Sequence, residues 1–209
     1  MIPLSDQEHR PNKFPIITVL LIAINVYFFL TVNPASIELY ALNVSDFLAG
    51  RNLITLITSM FLHAGWLHII FNMWSLWIFG DNVEDDLGMI GYLLLYFVSG
   101  IVGSLAFVFL TSDPNAAAVG ASGAIAGVMG AYLVLHPRNR VLALIPIGPF
   151  LTTARIGAPA FILMWFAIQF IGLYFLSSID SIAYSAHIGG FLTGLVLSLL
   201  LRKRPTYAY

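Results

Sequence analysis

The chain alternates between long apolar segments and short polar connections. Crossing a bilayer as a helix takes about 20 apolar residues, and five segments meet that length: residues 15–32, 90–110, 116–135, 158–176 and 182–201. A sixth apolar stretch, residues 53–79, is interrupted by polar residues, and we predict a turn at residues 64–65 followed by a span over residues 66–79. At 1.5 Å per residue this span is only about 21 Å long, so it starts below the membrane surface.

The connections between these spans are short. Residues 80–88 are predicted to form an acidic loop between spans 2 and 3. Residues 142–150 contain Pro146 and Pro149 and suit an interfacial loop better than a span. With tails at residues 1–14 and 202–209, the whole chain is expected to be one membrane domain. The predicted fold class is all-α, a polytopic bundle of six transmembrane helices.

An even number of spans places both ends of the chain on one side of the membrane, and the basic residues agree. Eight of the nine lie on that side, and only Arg51 lies on the other. The eight are Arg10, Lys13, Arg138, Arg140, Arg155, Arg202, Lys203 and Arg204. Because cytoplasmic loops carry the excess of Lys and Arg, both tails are expected in the cytoplasm.

The composition excludes several classes of protein. Hydrophobic residues make up 59% of the 209 residues and charged residues only 9%, against roughly 25% charged in a soluble domain, so the lipid bilayer is the expected environment. The chain has no cysteine, which excludes disulfides and thiolate metal sites. Its net charge of −1 gives no indication of a nucleic-acid partner, and no cofactor is expected.

Polar residues inside the spans converge at one depth. Spans 2, 4 and 6 all run from the outer face inwards. Ser122 is about six residues into span 4 and His187 about five into span 6, which puts both roughly 8–9 Å below their helix starts. His68 and Asn72 share one face in the first half of span 2. Residues far apart in the chain are thus expected at the same level of the bundle.

Two rows of small residues favour close packing of span 4 against span 6. The rows are Gly123, Gly127 and Ala131 in span 4 and Ala186, Gly190 and Gly194 in span 6. Small residues at four-residue spacing let membrane helices approach closely. Because His187 shares a face with Gly190 and Gly194, a helix that packs there meets the imidazole.

A serine in such a helix is more often a packing residue than a nucleophile, so the chemistry depends on His187. An ionisable residue within a span is costly and indicates a functional site. A neutral imidazole can accept the Ser122 proton, which makes the hydroxyl a nucleophile, and can return it to a leaving amine. His68, Asn72 and the Ser122 N–H can then donate hydrogen bonds to a developing oxyanion.

Other polar residues receive structural interpretations. His63 is expected to form a hydrogen bond with the loop that leads into span 2. Asn25 and Gln169 are expected to form hydrogen bonds between helices, and Glu84 with Gly88 to organise the turn after span 2. A zinc site made of histidines and a glutamate is disfavoured because HExxH is absent and Glu84 is expected at the opposite end of span 2.

Four motifs resemble those of the rhomboid intramembrane serine proteases, and together they extend over nearly the whole chain. They are HAGWLHIIFNM at residues 63–73, FGDNVEDDLG at 79–88, GASGAIAG at 120–127 and AHIGGFLTG at 186–194. The resemblance implies a rhomboid-like bundle with Ser122 as nucleophile and His187 as its base, a dyad without a carboxylate. It also implies that Asn72, His68 and Gly120 stabilise the oxyanion.

The resemblance also implies a function and a location. Supporting positions are assigned to His63, Gly123 and Gly190. Single-pass or other transmembrane proteins are the implied substrates, cut near the outer face by water that reaches a submerged cavity. The expected location is the plasma membrane of a prokaryotic cell, and the oligomeric state is left open.

Two positions depart from the family pattern. Ile54 and Thr55 stand where the family often has Trp-Arg, so the first loop is expected to be anchored differently. Ala126 stands where an aromatic residue often packs beneath the histidine. The alternative function is a rhomboid-like protein that binds membrane proteins without cutting them. A transporter is disfavoured because no charged residue lies clearly within a span.

Overall fold

The computed structural model describes residues 1–7, 11–148, 150–176 and 182–201 of the chain. Within these ranges the chain is mostly helical. The helices are α1 (Ile16–Thr31), α2 (Ile37–Tyr40), α3 (Val44–Leu48), α4 (Thr55–Thr58), α5 (Trp66–Leu110), α6 (Ser122–Leu135), α7 (Ala158–Phe175) and α8 (Tyr184–Leu201). The strands are β1 (Ile2–Gln7), β2 (Leu42–Asn43), β3 (Ala117–Ala118), β4 (Arg140–Ile147) and β5 (Phe150–Gly157). Arg10 and the predicted tail at residues 202–209 lie outside the described residues.

Helix α5 is broken in the middle by a glycine. Its 45 residues correspond to about 68 Å, more than twice the roughly 30 Å core of a bilayer. At Gly88 the backbone has φ 71° and ψ 168°, which is not helical and which favours glycine because it lacks a Cβ. Residues 80–87 are helical, so the loop predicted over residues 80–88 is wrong apart from the break itself.

Several helices are long and apolar enough to cross a membrane. Among the described residues these are α5, α7 and α8, and α1 adds a fourth when it is counted with the bent segment Pro34–Tyr40. Helix α6 has only 14 residues, about 21 Å, and it begins at Ser122 instead of residue 116. The predicted start of span 4 is therefore wrong, because residues 117–118 form β3 and Gly120, with φ 127°, turns the chain into the helix.

The described residues are mostly helical, in agreement with the predicted all-α class, but the structure also contains two small sheets. Strands β1, β4 and β5 form an antiparallel sheet in that order, and β2 pairs with β3. The interfacial loop predicted over residues 142–150 is largely the β4–β5 hairpin, in which Pro146 lies opposite Leu151 beside the tip. A proline beside a hairpin tip removes few ladder hydrogen bonds, so Pro146 argues correctly against a helix but not against a strand; Pro149 lies outside the described residues.

Glu84 holds the start of α1. Its carboxylate accepts hydrogen bonds from the Ile17 N–H at 2.9 Å, the Thr18 N–H at 2.8 Å and the Thr18 hydroxyl at 2.9 Å. The first N–H groups of a helix have no partner within it, and a negative charge is favourable there. Glu84 therefore caps another helix, whereas Gly88 alone makes the turn after the first half of α5.

Contacts at one end of the bundle bring together three parts of the chain. The Asn12 N–H donates to Asp85 at 2.9 Å, just before α1 begins. His136, after the last residue of α6, has its Nε2 at 3.3 Å from Asp86. The start of α1, the Gly88 break and the end of α6 therefore lie at the same end, together with Lys13 and Arg138.

The packing of α6 against α8 depends on glycine. A Cβ added at Gly190 would collide with the carbonyl oxygen of Gly123, and one added at Gly194 would collide with that of Gly127. The second half of α5 packs closely against the start of α8, since a Cβ at Gly103 would lie 2.6 Å from the Ala186 carbonyl oxygen. The predicted close approach of the two rows of small residues is confirmed.

The loop between α1 and α5 has its own anchors. The Arg51 guanidinium lies 2.6 Å from Asp46, and this hydrogen bond lowers the pKa of the Asp46 carboxyl. The Thr58 hydroxyl donates to the Tyr40 carbonyl at 2.9 Å, and β2 pairs with β3 just before α6. These contacts anchor the loop without the Trp-Arg pair that is common in the family pattern.

Candidate active site

Ser122 and His187 are in direct contact. Ser122 Oγ lies 2.8 Å from His187 Nε2, although the residues are 65 positions apart. Ser122 is the first residue of α6 and His187 the fourth of α8. Helix α6 begins six residues later than predicted and α8 two residues later, so the predicted depth of about 8–9 Å below the helix start is wrong for Ser122, although the two side chains do meet. Ser122 is therefore in the first turn of α6, whose first N–H groups have no partner within the helix.

Gln169 of α7 contacts the other side of the imidazole. Its Oε1 lies 2.8 Å from His187 Nδ1, and its Nε2 donates to the Trp165 carbonyl at 3.1 Å. Because the amide oxygen can only accept, His187 Nδ1 must carry the proton. Nε2 then holds a lone pair and accepts the hydrogen bond from the Ser122 hydroxyl. The bond between helices that was expected for Gln169 is present and reaches the candidate base, whereas the Asn25 amide donates to Leu21 of its own helix at 2.8 Å.

Trp165 supplies the aromatic contact that Ala126 cannot make. The Trp165 ring lies 5.9 Å from the His187 ring between centroids, with the planes tilted by 36°. Trp165 and Gln169 are one turn apart on α7, so one face of this helix contacts the imidazole at two points. Ala126 is buried below the site, and the histidine is positioned from α7 instead of from α6.

Asn72 has a hydrogen-bond donor without a partner. Its Nδ2 is buried, and among the described residues no acceptor lies within hydrogen-bond distance. Asn72 lines the same cavity as Ser122 and His187. A buried donor without an acceptor is costly unless another group meets it. A negatively charged oxygen formed next to Ser122 is such a group.

His68 and Gly120 lie beside Asn72. Gly120 has no side chain, and a Cβ there would lie 2.7 Å from His68 Nε2 and 3.7 Å from Asn72 Nδ2. The Gly120 N–H is already engaged, because it donates to the Ser59 carbonyl at 2.9 Å. Gly120 therefore contributes the space that His68 needs and the turn into α6, while the first-turn amides remain the available main-chain donors.

His63 packs against His68. The two rings meet edge to face with centroids 5.0 Å apart. Neither ring nitrogen of His63 has a partner at full hydrogen-bond geometry among the described residues, and the main chain of Phe61 is the group of the loop that interacts with the ring. His63 restricts the orientation of the His68 ring and does not line the cavity.

The cavity next to Ser122 has a volume of about 250 Å³ and is largely apolar. Residues of α5, α6 and α7 line this cavity, together with residues 1–3. The aromatic members are Phe71, Phe79, Phe161 and Trp165. A larger cavity of about 600 Å³ between α1 and the first loop contains none of the site residues. An apolar surrounding strengthens hydrogen bonds made to a charged intermediate.

Known proteins of one family are similar to this chain over much of its length. A family model described as Rhomboid domain matches residues 50–204. The Rhomboid protease GluP of Bacillus subtilis is 32% identical over 190 residues, which are 88% of this chain and 34% of that protein. RHOMBOID-like protein 6, mitochondrial, of Arabidopsis thaliana is 35% identical over 172 residues, 80% of this chain and 50% of that protein.

A chloroplast protein is similar as well. Rhomboid-like protein 11, chloroplastic, of Arabidopsis thaliana is 33% identical over 153 residues, 72% of this chain and 53% of that protein. The chain thus spans between a third and about half of the length of these relatives. The family model, in contrast, covers well over half of the chain. The chain belongs to the rhomboid family.

Proposed function

We propose that the chain is an intramembrane serine endopeptidase that cuts transmembrane protein substrates near the outer face of the membrane. The observation that carries the proposal is the 2.8 Å contact between Ser122 Oγ and His187 Nε2. A nucleophile and a base within hydrogen-bond reach, with the base oriented by a third group, are the signature of nucleophilic catalysis. The protease name of the GluP relative supports the same reaction class.

The reaction proceeds in two halves. His187 Nε2 accepts the Ser122 proton while Oγ attacks the scissile carbonyl carbon, and the carbonyl oxygen becomes an oxyanion. His187 then gives that proton to the leaving amine, and the carbon–nitrogen bond breaks to leave an acyl-enzyme. In the second half His187 deprotonates a water that attacks the ester carbon, and the proton returns to Ser122 as the acid product leaves.

Gln169 acts as a positioning residue in this scheme. Its amide oxygen accepts from His187 Nδ1, which selects the tautomer that has a free Nε2. The same bond stabilises the imidazolium that forms during each half-reaction, although less strongly than a carboxylate would. The neutral side chain of Gln169 on α7 therefore orients the base of the proposed Ser122–His187 dyad.

Asn72 and the first-turn amides of α6 stabilise the oxyanion, with His68 beside them. The donors point to where charge develops, and the apolar cavity raises the strength of each bond. The start of a helix also carries a partial positive charge, and Ser122 is the first residue of α6. His68 Nδ1 is 3.5 Å from the Ala64 N–H, a weak contact that leaves its Nε2 side facing Gly120.

The proposed arrangement in the membrane has six spans, with the start of α1 and the end of α8 on the cytoplasmic side, whereas residues 1–3 lie beside the cavity next to Ser122. The spans are α1, the two segments of α5, α6, α7 and α8. The length of α5 and its break at Gly88 support two crossings by this helix. The basic residues Lys13 and Arg138 lie at the same end, as the Asn12–Asp85 and His136–Asp86 contacts indicate, which supports a cytoplasmic position for that end.

The competing proposal is a rhomboid-family protein that binds membrane proteins without cutting them. The experiment is cleavage of a reporter transmembrane segment in proteoliposomes by the wild type and by Ser122→Ala. We expect the substitution to abolish cleavage. Ser99→Ala, which removes a buried hydroxyl of α5 away from the cavity, should retain it. Cleavage that persists in Ser122→Ala would reject the proposal, and a wild type that binds but never cuts the reporter would favour the competitor.

A further inference from the structure

A cleft lies between α1 and the first loop (residues 32–65), apart from the cavity next to Ser122. We call this space the α1 cleft. Ile24 and Phe28 of α1 form one apolar wall, and Ile57 and Phe61 of the loop form the other. The volume of the cleft is about 600 Å³, and sites for small ligands usually measure about 300–1,000 Å³. The α1 cleft is therefore large enough to hold a ligand.

The α1 cleft changes from apolar to polar along the direction of α1. Because α1 begins at the proposed cytoplasmic end, Ile24 lies deep in the membrane, and the last residue of the helix lies about 10 Å nearer the outer face. There the chain turns by 103° into the segment Pro34–Tyr40. Asn33 and Ser36 line this outer part of the cleft. An apolar depth with a polar rim matches the polarity of the outer leaflet of a bilayer.

The α1 cleft opens to the lipid-facing surface. Ile24 is 40% exposed and Ile57 39% exposed, so no described part of the protein covers the two walls. Leu39, Leu53 and Ile54 of the first loop are exposed as well. Exposed apolar surface of this kind marks contact with a membrane or a partner. Among the described residues no charged side chain lines the cleft, which favours the membrane.

An acyl chain fits this space better than water or a helix does. Water in a cavity needs two to four polar partners, and apolar cavities stay dry. A helix is about 10–12 Å across, so a single turn of 5.4 Å takes up roughly 400–600 Å³, which is most of the cleft. An acyl chain is narrower, and it can enter from the bilayer without carrying a polar group into the apolar part.

The rim of the α1 cleft provides hydrogen-bond donors for the polar end of a lipid. Asn33 Oδ1 accepts from the Ala35 N–H at 3.0 Å. Asn33 Nδ2 and the Ser36 hydroxyl have no partner among the described residues. The ester and phosphate oxygens of a glycerophospholipid only accept hydrogen bonds, and amide and hydroxyl groups can donate to them. Since these donors are neutral, they do not require an anionic headgroup.

The loop wall of the α1 cleft also supports the turn into α6. Phe61 faces the cleft, where its ring centroid lies 6.2 Å from that of Phe28. Two residues earlier, Ser59 lies on the opposite side of the same short segment, and its carbonyl accepts from the Gly120 N–H at 2.9 Å. A ligand that packs against Phe61 therefore restrains the segment that holds Gly120.

We propose that the α1 cleft binds one acyl chain of a glycerophospholipid from the outer leaflet, with the polar end of the lipid at Asn33 and Ser36. The bound chain holds residues 57–62 in place and, through Ser59, stabilises the position of Gly120. The lipid site goes beyond the proposed function, and only its effect on Ser122 rests on that function. Binding and effect can be measured separately.

Retention of a photoreactive lipid measures binding without any catalysis. The protein is reconstituted in vesicles of phosphatidylcholine that carries a diazirine near the end of one acyl chain. It is then transferred to detergent with an excess of unlabelled phosphatidylcholine and irradiated. Lipids that merely surround the bundle exchange during the transfer. The remaining adducts should therefore map to the α1 cleft, at Ile24, Phe28 or Phe61.

Two tryptophan variants on α1 provide the comparison. Ile24→Trp fills the cleft and should lose most of the adduct. Leu20→Trp is the matched control, because Leu20 lies one turn away on the same helix, is exposed and does not line the cleft; it should keep the wild-type adduct. If Ile24→Trp does not fold, Ile57→Trp fills the cleft from the loop.

Three results would overturn the lipid site. The first is a wild-type protein that retains no adduct in the α1 cleft. The second is full retention by the filled variants Ile24→Trp and Ile57→Trp. The third is displacement of the lipid by a photoreactive transmembrane reporter that forms its own adduct at Ile24 or Phe61, which would make the occupant a polypeptide.

The effect on the candidate active site is measured by fluorophosphonate labelling of Ser122. In protein depleted of lipid, added phosphatidylcholine should speed the labelling of the wild type and of Leu20→Trp by about fivefold or more. Ile24→Trp should be labelled at the same rate with and without lipid. A wild-type rate that does not respond to lipid would overturn the link to Gly120. If Ser122 is unlabelled in every condition, the proposed function is rejected, and the adduct experiment still decides the lipid site.

Discussion

Gln169 Oε1 lies 2.8 Å from His187 Nδ1, which connects α7 to the imidazole that faces Ser122. The bond crosses between two helices that are adjacent in the chain. Its geometry is fixed on both sides, because the Gln169 amide nitrogen is held by the Trp165 carbonyl at 3.1 Å. The position of α7 therefore sets the tautomer and the orientation of the candidate base.

Replacing Gln169 by leucine should slow peptide cleavage. The side chain keeps a similar size, but His187 Nδ1 loses its acceptor and both tautomers become accessible. We expect kcat to fall by about 10–100-fold with little change in KM, measured with a reporter transmembrane segment in proteoliposomes. A residue with only a packing role would instead change stability and leave kcat nearly unaltered.

Gln169→Glu is the matched control for this prediction. It keeps an oxygen acceptor at the same position, so it should cleave faster than Gln169→Leu. Equal rates for the wild type and Gln169→Leu would remove Gln169 from the positioning role. If Gln169→Leu and Gln169→Glu lose the same fraction of cleavage activity, the oxygen acceptor does not determine the rate.

Asn72 is expected to act on the transition state. Asn72→Ala removes the buried Nδ2 donor that has no acceptor among the described residues, so the free protein loses no hydrogen bond that the structure shows. Cleavage should slow by up to about 10²–10³-fold, with a normal unfolding temperature in detergent. Asn25→Ala removes a buried amide that donates to Leu21 of its own helix at 2.8 Å and should keep the wild-type rate. An unchanged rate in Asn72→Ala would exclude it as an oxyanion donor.

The glycine packing of α6 on α8 should control the distance between the dyad residues. A Cβ in Gly190→Ala meets the Gly123 carbonyl, so the helices must separate at the level of Ser122 and His187. We expect a loss of about 1–3 kcal/mol in the free energy of unfolding, together with slower labelling of Ser122. In Gly157→Ala the added Cβ meets no atom within 4 Å, and neither quantity should change. A Gly190→Ala protein with normal stability and labelling would contradict the packing account.

Much of the site could be predicted because its members lie on helices with regular spacing. The small residues of α6 and α8 indicate which faces meet, whereas the depth counted from the predicted helix start is wrong for Ser122, because residues 117–118 form β3. The resemblance to rhomboid motifs added the roles of His68 and Asn72. The role of Gln169 was not predicted, since α7 has no small-residue row to show which face it turns towards α8.

The strands could not be predicted by the same means. Pairing of Ile2 with Leu144 joins residues far apart in the chain, and no local pattern of 2-residue alternation marks β1, which contains Pro3. The helical course of residues 80–87 was missed because acidic residues there suggested a loop. They are tolerated in α5 since Glu84 caps α1 and Asp85 and Asp86 contact Asn12 and His136.

Labelling by a serine-directed fluorophosphonate tests the central claim most directly, because it needs no known substrate. The probe forms a bond to a serine oxygen only when a base has removed the proton. We predict that Ser122 is the labelled residue, and that Ser122→Ala and His187→Ala are not labelled. Labelling that is absent from the wild type, or that continues at the same rate in His187→Ala, would contradict a Ser122–His187 catalytic dyad.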